Sequence, residues 1–284
     1  MRVSLQGRSI LLTGAAGGIG RVLARAFLDC GAALVAADVD ADGLERLEQS
    51  LHDAGRAGRL VTRVLDIADP AACEAAVQEA AARFGALDIL INNGALGMQV
   101  LREDCMTNLV RIDEITPEFW NRMVTVNFSG AWYLTRAAVP RMRARGWGRI
   151  INVTTSFFTM VRGRFHPYGP AKAGLEAMSA GHASEFAGSG ITVNVVVPGG
   201  PADTPMVPAV SGLRREDLIP PSKMAPPMLW LCTKDADAVT GKRYVAASWD
   251  DALAPETARR ASESPIAWPE LAGAPVWPGG RPAA

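Results

Sequence analysis

The sequence has little that would indicate a nucleic-acid, membrane or metal-binding protein. Lysine plus arginine and aspartate plus glutamate both number 29, so no basic excess or acidic tail indicates nucleic acid. No apolar run reaches the roughly 18–20 residues that span a bilayer. Met1–Arg8 lacks an apolar secretion core, so we expect a cytoplasmic protein without membrane association.

Cysteine is also scarce, with four residues in 284. The sequence has no CxxC pair and no histidine at a ligand spacing, so we expect reduced thiols and no metal site. These cysteines are Cys30, Cys73, Cys105 and Cys232.

The composition, with 49% hydrophobic and 20% charged residues, suits one large α/β domain or two small ones. No internal boundary is visible before about residue 250. We therefore expect one domain over residues 1–250 and a proline-rich extension over residues 251–284. Trp268 and Trp277 in this extension predict docking onto the domain or onto a neighbouring subunit.

Short β-rich runs alternate with helical patterns along the chain, which predicts a mainly parallel sheet with helices on both faces. The predicted strands are Ser9–Thr13, Ala33–Ala37, Arg59–Leu65, Leu87–Asn92, Arg149–Thr154, Thr192–Val197 and Arg243–Ala247. The predicted helices are Ile19–Cys30, Asp42–Ala54, Pro70–Phe84, Pro117–Ala144, Tyr168–Ala187 and Lys223–Thr233. Pro198–Pro221 is rich in proline, and we expect a long loop that acts as a lid.

A glycine-rich turn follows the first predicted strand and begins the first helix. Glycines at this place allow a tight turn and let backbone N–H groups approach a pyrophosphate at the helix N-terminus. The predicted contacts within Thr13–Gly20 are Gly14, Ala16, Gly17, Gly18, Ile19 and Gly20.

Two carboxylates follow the next strands. Asp38, beside Val39, ends the second strand, where it can accept hydrogen bonds from the adenosine ribose hydroxyls and would repel a 2′-phosphate. The sequence therefore favours NAD over NADP. Asp66, beside Ile67, ends the third strand and is expected to meet the adenine edge, although a turn-forming role is the alternative.

Tyr168 and Lys172 lie four residues apart at the start of a predicted helix, so they share one helix face. A free tyrosine titrates near pH 10, and a neighbouring ammonium favours its phenolate. We expect Lys172 to lower the pKa of Tyr168 towards the range of a general acid/base.

In this order, the glycine-rich turn, Asp38, Asn92-Asn93 and the Tyr168/Lys172 pair make the chain resemble the short-chain dehydrogenase/reductase family over about residues 3–249. The short C-terminal part favours the ordinary branch over the extended branch. The resemblance implies a three-layer Rossmann-like fold with a seven-stranded, mainly parallel sheet. It also implies hydride transfer with a nicotinamide dinucleotide and a homo-oligomer, which we expect to be a dimer or a homotetramer.

The resemblance implies roles for individual residues. Tyr168 is the expected acid/base, Lys172 its partner, and Asn127 the residue that positions a water in a proton relay. The usual catalytic serine is replaced by Thr155, with Ser156 as the alternative if the loop shifts by one residue. Further cofactor contacts are implied at Asn93, Gly94, Pro198, Gly199, Pro201 and Thr204.

The substrate is only weakly encoded. Ala95–Ile115 is about ten residues longer than is usual in the family, and we expect it to form one pocket wall. Arg162, Arg164 and His166 bind an anionic group or are solvated loop charges. The segment Ala95–Ile115 contains Met98, Arg102, Cys105, Met106 and Arg111. The apolar side chains of Phe157, Phe158, Met160 and Met206 are expected to add an apolar pocket, with simple packing or a subunit contact as the alternatives.

We therefore expect an NAD-dependent enzyme that interconverts a secondary alcohol and a ketone. Two alternatives are a dinucleotide-binding module without turnover, and a dehydratase or epimerase that retains its NAD.

Overall fold

A computed structural model describes residues 3–52 and 58–271, and an eight-stranded sheet forms its centre. The strand order is β3-β2-β1-β4-β5-β6-β7-β8, with every neighbouring pair parallel except β7 and β8. The strands are β1 Ser9–Thr13, β2 Ala33–Asp38, β3 Leu60–Val64, β4 Ile89–Asn92, β5 Gly148–Val153, β6 Ile191–Val197, β7 Lys242–Val245 and β8 Glu263–Pro265.

Nine α-helices lie in the described part of the chain. Several begin where the sequence provides a cap: the Asp40 side chain accepts from the Gly43 amide, and Asp69 accepts from the amides of Ala71 and Ala72. The helices are α1 Gly18–Asp29, α2 Ala41–Leu51, α3 Pro70–Phe84, α4 Pro117–Val124, α5 Gly130–Arg145, α6 Phe157–Val161, α7 Tyr168–Glu185, α8 Ala225–Leu231 and α9 Pro255–Ser262.

The core has two main layers, one on each face of the sheet. β1, β4, β5 and β6 are buried along their whole length, as expected for central parallel strands covered on both sides. One layer packs around Phe27 and Tyr244, and the other around Leu134 and Phe186. This sandwich confirms the predicted Rossmann-like, mainly parallel α/β fold and holds the carboxyl ends of the strands rigidly in place.

The element boundaries agree with the sequence prediction to within a few residues, with two main differences. The predicted helix Pro117–Ala144 contains a π-helical turn at Thr125–Ser129, which carries Asn127. Such turns are not encoded by hydrophobic periodicity. The predicted helix Asp42–Ala54 is described as far as Leu51, and Ala54 lies outside the described residues.

The predicted number of seven strands is corrected to eight, because part of the C-terminal extension adds to the sheet. β8 pairs antiparallel with β7, and Tyr244 is opposite Glu263. A three-residue strand with two prolines nearby gives little sequence signal. The Trp268 ring lies 5.4 Å from the Phe157 ring, whereas Trp277 and the rest of residues 272–284 lie outside the described residues.

Across the described residues, no helix combines the length and apolar character needed to cross a membrane. The same residues contain no group of three or more histidine, cysteine or acidic side chains that could hold a metal ion. All four cysteines are free.

Candidate active site

A cavity of about 910 Å³ opens at the carboxyl ends of the parallel strands. Ligands of open α/β sheets bind at this edge, because the loops after the strands converge there. The sequence-predicted residues that line the cavity are Gly14, Ala16, Gly17, Gly18, Ile19, Gly20, Asp38, Val39, Asp66, Ile67, Asn93, Gly94, Thr155, Ser156, Tyr168, Lys172, Pro198, Gly199, Pro201 and Thr204.

The glycine-rich turn depends on the absence of side chains. Gly14 has a positive φ of 65°, and a Cβ there would lie 2.7 Å from the Gly94 Cα. A Cβ on Gly18 would lie 2.6 Å from the Thr204 Cγ2. No side chain caps α1 at Gly17, and its first turn has no acidic residue. The first-turn N–H groups can therefore bind an anionic pyrophosphate.

Asn93 joins the end of β4 to this turn. Its side-chain amide donates to the main-chain oxygens of Thr13 and Gly14 at 2.9 and 3.1 Å. The Thr13 hydroxyl in turn accepts from the amides of Asn93 and Gly94. The side chain of Asn93 therefore braces the glycine turn.

Asp38 lies at the end of β2 with its carboxylate fixed by main-chain donors. One oxygen accepts from the Ala16 amide at 2.9 Å and the other from the Asp40 amide at 3.1 Å. The carboxylate is therefore held in place beside the turn. Arg46 and Arg21, which the sequence reasoning did not include, also line this end of the cavity.

Asp66 has a partner that the sequence reasoning missed. Arg122, from α4, lies 2.9 Å from its carboxylate, and the Ala68 amide donates at 2.9 Å. Burial acts to raise the pKa of Asp66, but the hydrogen bonds from Arg122 and Ala68 outweigh it, so the pKa is lowered. The ion pair is partly exposed and contributes little energy, so an adenine edge can compete for the carboxylate.

Tyr168 and Thr155 lie together, whereas Ser156 has a different role. The Thr155 side chain lies close enough to the Tyr168 phenol to act on its pKa, which it lowers against the larger, opposite effect of burial. Ser156 is the N-cap of α6, where its hydroxyl accepts from the Thr159 amide at 3.1 Å and contacts the Thr159 hydroxyl at 2.8 Å. The geometry therefore brings Thr155, and not Ser156, to the phenol.

The structure does not show the expected effect of Lys172 on Tyr168. Burial raises the pKa of Tyr168 to about 12, and in the described part of the chain only the Thr155 side chain opposes this rise. The Lys172 ammonium instead donates to the main-chain oxygen of Val153 at 2.8 Å, and burial lowers its pKa to about 8. Sharing a helix face is thus insufficient to make the amine the partner of the phenol.

Among the predicted catalytic and cofactor-binding residues, Asn127 is the one that does not line the described cavity. Its side-chain oxygen accepts from the Leu96 amide at 2.7 Å, and its amide group donates to the Leu96 oxygen and the Met123 sulfur. These bonds fix the loop that follows Gly94. The side chain is therefore occupied in supporting the wall of the cavity.

The predicted lid lines the cavity beside the N-terminus of α1. Pro201 and Ile219 are joined by a 2.9 Å hydrogen bond, and Ala202 forms a β-bridge with Ile219, so the segment closes on itself. Three short 3₁₀ turns interrupt the predicted loop, at Ala209–Ser211, Arg215–Asp217 and Pro221–Met224. Thr204 is buried against Gly18 at its inner surface.

Only part of the expected substrate wall faces the cavity. Arg102 and Arg111 instead form ion pairs with Glu114 and Asp113. Neither Arg164 nor His166 is among the described lining residues, and the same holds for Phe157 and Met160. The expected residues that do line this end are Met98, Cys105, Met106, Phe158, Arg162 and Met206, together with the unanticipated Gln99, Thr159 and Phe165.

Phe165 shows why the missed residues escaped sequence reasoning. It lies in a loop without periodicity, yet it is buried with Met98 and Cys105 and packs edge-on against Tyr168 at 6.0 Å. The extra segment Ala95–Ile115 thus folds into a small core of its own beside the tyrosine. No sequence spacing indicates this contact.

Comparison with known proteins agrees with this site. A family model described as short chain dehydrogenase matches residues 8–212. The chain belongs to the short-chain dehydrogenase family. This short-chain dehydrogenase is therefore an oxidoreductase of alcohol or keto groups with a site for a nicotinamide dinucleotide.

Individual relatives of this short-chain dehydrogenase span most of its length. The 3-oxoacyl-(acyl-carrier-protein) reductase of Escherichia coli K12 is 32% identical over 76% of this chain and 82% of its own. The cis-4-hydroxycyclohexanecarboxylate dehydrogenase of Sinomonas cyclohexanicum is 34% identical over 70% and 75%. A 3-ketoacyl-(acyl-carrier-protein) reductase from Brucella melitensis, crystallised with NADH, superposes with a TM-score of 0.71 at 28% identity, covering 84% and 95%.

Proposed function

We propose that this enzyme interconverts a secondary alcohol and a ketone with NAD(H), and that Tyr168 is its general acid/base. The observation that carries the proposal is the meeting of Tyr168 and Thr155 at the floor of one cavity whose other end is the glycine-rich turn. The similarity to a 3-oxoacyl reductase and to a hydroxy-acid dehydrogenase supports the same reaction class.

Each residue has a defined task in the proposed reaction. Thr155 donates a hydrogen bond to the substrate oxygen and orients it towards Tyr168. Tyr168 gives its proton to that oxygen in reduction and removes it in oxidation. The bound dinucleotide supplies the two-electron step by taking up or delivering hydride at the carbon that bears this oxygen.

Lys172 and Asn127 have supporting tasks in this proposal. A half-buried Tyr168 with a pKa of about 12 is a proton donor, so oxidation requires an added positive charge near the phenol. We assign that role to Lys172, which has to exchange its bond to Val153 for the nicotinamide ribose and the phenol. Asn127 shapes the wall beside them, with a water relay as its proposed further role.

The cofactor preference is proposed as NAD because Asp38 places a fixed carboxylate beside the turn. A 2′-phosphate at this position would meet like charge, and the nearby Arg46 is paired with Asp40 at 3.6 Å. The NADH in the Brucella reductase supports the same preference. The proposed cofactor contacts are the sequence-predicted residues that line the cavity, of which Gly14 is the first along the chain and Thr204 the last.

The decisive experiment measures nicotinamide absorbance with a panel of secondary alcohols and ketones, using NAD(H) and NADP(H) separately. We expect turnover that is faster with NAD(H), and Asp38→Ser should reduce or reverse this preference. Arg25→Ser, on the outer side of α1, is the matched control and should leave it unchanged. Binding of the dinucleotide without turnover of any compound would contradict the proposed reaction.

We also propose a cytoplasmic homo-oligomer, a dimer or a tetramer, with residues 1–250 as the catalytic unit and residues 251–284 as an extension docked on it. Light scattering of the full chain tests the oligomeric state, and a monomer at working concentration would contradict it.

A further inference from the structure

The substrate end of the cavity carries a positive charge for which the structure provides no carboxylate. Among the described lining residues, all the carboxylates belong to Asp38, Asp40 and Asp66, at the cofactor end. The cations at the substrate end are Arg162 and Lys172. Arg162 has no ion pair or hydrogen bond within the described residues, unlike most arginines of this chain.

The surroundings of Arg162 are apolar and aromatic. Its guanidinium carbon lies 5.0 Å from the centre of the Phe165 ring and 6.0 Å from that of Phe158. Cys105 is another lining residue: burial and the charge of Asp104, which does not line the cavity, raise its pKa, and the charge of Arg162 acts to lower it. The arginine is therefore held at the cavity wall by ring contacts, which leave its N–H groups available to a planar anion.

One aromatic ring, that of Phe165, separates Arg162 from Tyr168. Phe165 contacts Arg162 on one side and packs edge-on against Tyr168 at 6.0 Å on the other. Met98, Met106 and Met206 complete an apolar lining around this path. A ligand that reaches both groups needs an apolar spacer between its carbonyl and its anion.

We propose, on the basis of the proposed function, that the substrate is a keto acid or hydroxy acid whose carboxylate binds Arg162 while its carbonyl or hydroxyl oxygen meets Tyr168. The unpaired cation, the apolar spacer region and the absence of a competing carboxylate at this end of the described cavity all favour such a molecule.

The test compares a series of straight-chain keto acids with their methyl esters: 4-oxopentanoate, 5-oxohexanoate and 6-oxoheptanoate. Each pair differs in the charge and in one methyl group. We expect kcat/KM to favour the acid over its ester in the wild-type enzyme, and Arg162→Gln to reduce this ratio by roughly tenfold to a hundredfold, mainly through KM. Arg164→Gln, two residues away and outside the lining, should leave the ratio unchanged.

The outcomes separate this proposal from the one on which it rests. Turnover of esters and acids at equal rates, or an equal loss of the acid preference in the Arg164 variant, would overturn the carboxylate site while leaving the oxidoreductase assignment intact. Failure of the wild-type enzyme to turn over any ketone in the wider panel would instead overturn the proposed function itself.

A second inference comes from a different place, a buried ion pair behind Thr155. Arg243 of β7 and Glu176 of α7 are 3% and 0% exposed, and their charged groups lie 2.8 Å apart. Arg243 also donates to the main-chain oxygen of Thr155 at 2.7 Å, and the Thr154 hydroxyl donates to Glu176 at 2.7 Å. The pair therefore holds the main chain on which Thr155 is mounted.

The C-terminal extension completes this cluster. The Ala267 amide donates to the second oxygen of Glu176 at 3.2 Å, from a residue with a φ of 61°. The Phe157 ring lies between Trp268, at 5.4 Å, and the Arg243 guanidinium, at 4.2 Å. The buried Arg243–Glu176 pair thus gains a hydrogen-bond donor from Ala267 and, through Phe157, an aromatic contact with Trp268. Ala267 and Trp268 both lie outside the region that the family model matches.

We infer that Arg243 and Glu176 are positioning residues for Thr155, and that Ala267 and Trp268 hold them in place. Thr155 lines the cavity beside Tyr168 and acts on its phenol, so a displaced Thr155 main chain alters proton transfer. The extension is therefore part of the catalytic apparatus although it does not line the described cavity.

The test measures kcat, the dinucleotide dissociation constant and the pH–rate profile of Arg243→Lys and Trp268→Ala. A lysine cannot bond to Thr155 and Glu176 as arginine does, so we expect kcat to fall about tenfold. The dissociation constant should stay within about twofold, because the glycine turn is remote from the pair. In ketone reduction, where Tyr168 donates the proton, the basic limb of the profile should move to higher pH, because burial raises the pKa of Tyr168 and the Thr155 side chain opposes that rise.

Arg149→Lys is the matched control, because Arg149 is an equally buried arginine paired with Asp237 at the other end of β5. It should lower stability without moving the pH profile. If Arg243→Lys behaves in the same way as Arg149→Lys, the positioning role is refuted. If Trp268→Ala leaves both kcat and the profile unchanged, the contribution of the extension is refuted, whether or not the Arg243 variant folds.

Discussion

The two ends of the cavity differ in whether main chain or side chains form their surface. At the cofactor end, the main chain provides the surface: Gly14 and Gly18 admit close contacts, and Asp38 is fixed by two backbone amides. At the substrate end, the surface consists of side chains such as Met206 and Phe165, which come from separate loops.

This difference reflects what each end has to bind. A dinucleotide is a constant ligand, so a rigid turn with fixed donors serves it and leaves a short, recognisable motif. A substrate varies among relatives, and flexible thioethers and loop-borne rings can adapt without altering the sheet. Thr155, Tyr168 and Lys172 lie where the two ends meet.

The largest effect should come from removing the phenol at this junction. We expect Tyr168→Phe to lower kcat by about 10²–10⁴-fold, because proton transfer is lost. Dinucleotide affinity should remain, since the glycine turn is unchanged, and equilibrium titration of the cofactor measures this directly. Tyr133→Phe, outside the described lining, is the control. Full turnover in the Tyr168 variant would remove the basis of the comparison.

The two hydroxyls after β5 should separate catalysis from folding. Thr155→Val should reduce kcat by about 10–10³-fold, as one donor to the reacting oxygen is lost. Ser156→Ala should instead cost about 0.5–2 kcal/mol of unfolding free energy, because it removes the N-cap of α6. Steady-state kinetics and denaturant unfolding of both variants test this. An exchange of the two phenotypes would assign catalysis to Ser156.

A substitution in the glycine turn should weaken cofactor binding, whereas loss of the phenol should slow turnover and leave cofactor binding intact. In Gly18→Ala the new methyl collides with Thr204, so we expect the dinucleotide dissociation constant to rise by roughly tenfold or more. Gly181→Ala is the matched control, because no heavy atom lies within 4 Å of its added Cβ and alanine favours the helix. Equal cofactor affinity in both variants would show that the close contact at Gly18 is dispensable.

The smallest effect is a pH dependence of stability caused by Lys172. Its pKa is about 8 in the folded chain and about 10.5 when unfolded, so the unfolded chain binds more protons between these values. The folded state should therefore gain about 1–3 kcal/mol as pH rises from 8 to 10.5. Tyr168 acts in the opposite sense only between about pH 10 and 12.

Denaturant unfolding of wild type and Lys172→Met across this range isolates the contribution. The difference between the two free energies of unfolding should favour the variant most below pH 8 and shrink as pH rises. A difference that does not change with pH would show that the amine is not desolvated.

Local sequence was sufficient to predict the cofactor end. The turn at Gly14–Gly20 and the carboxylate of Asp38 each follow a buried strand, and parallel strands bring their carboxyl ends to one edge. The parallel arrangement of the strands was accessible from their spacing, whereas the approach of Thr155 to Tyr168 was implied by the family resemblance.

Long-range packing decided what the sequence left open. Lys172 bonds to Val153 and not to Tyr168, and Asp66 is paired with Arg122. Packing likewise decides whether Thr155 or Ser156 meets the phenol of Tyr168. None of these contacts has a periodicity, because they join loops and helices distant in the chain.

The sequence by itself determined the parallel α/β sheet, the dinucleotide turn and the placement of a phenol and a hydroxyl at its edge, because these depend on strand and helix periods and on short spacings. The tertiary structure alone decided the eighth strand, the wall formed by Phe165 and the buried support from Arg243 and Glu176. Those features arise where segments far apart in sequence exclude water together, and burial fixes which charges find partners.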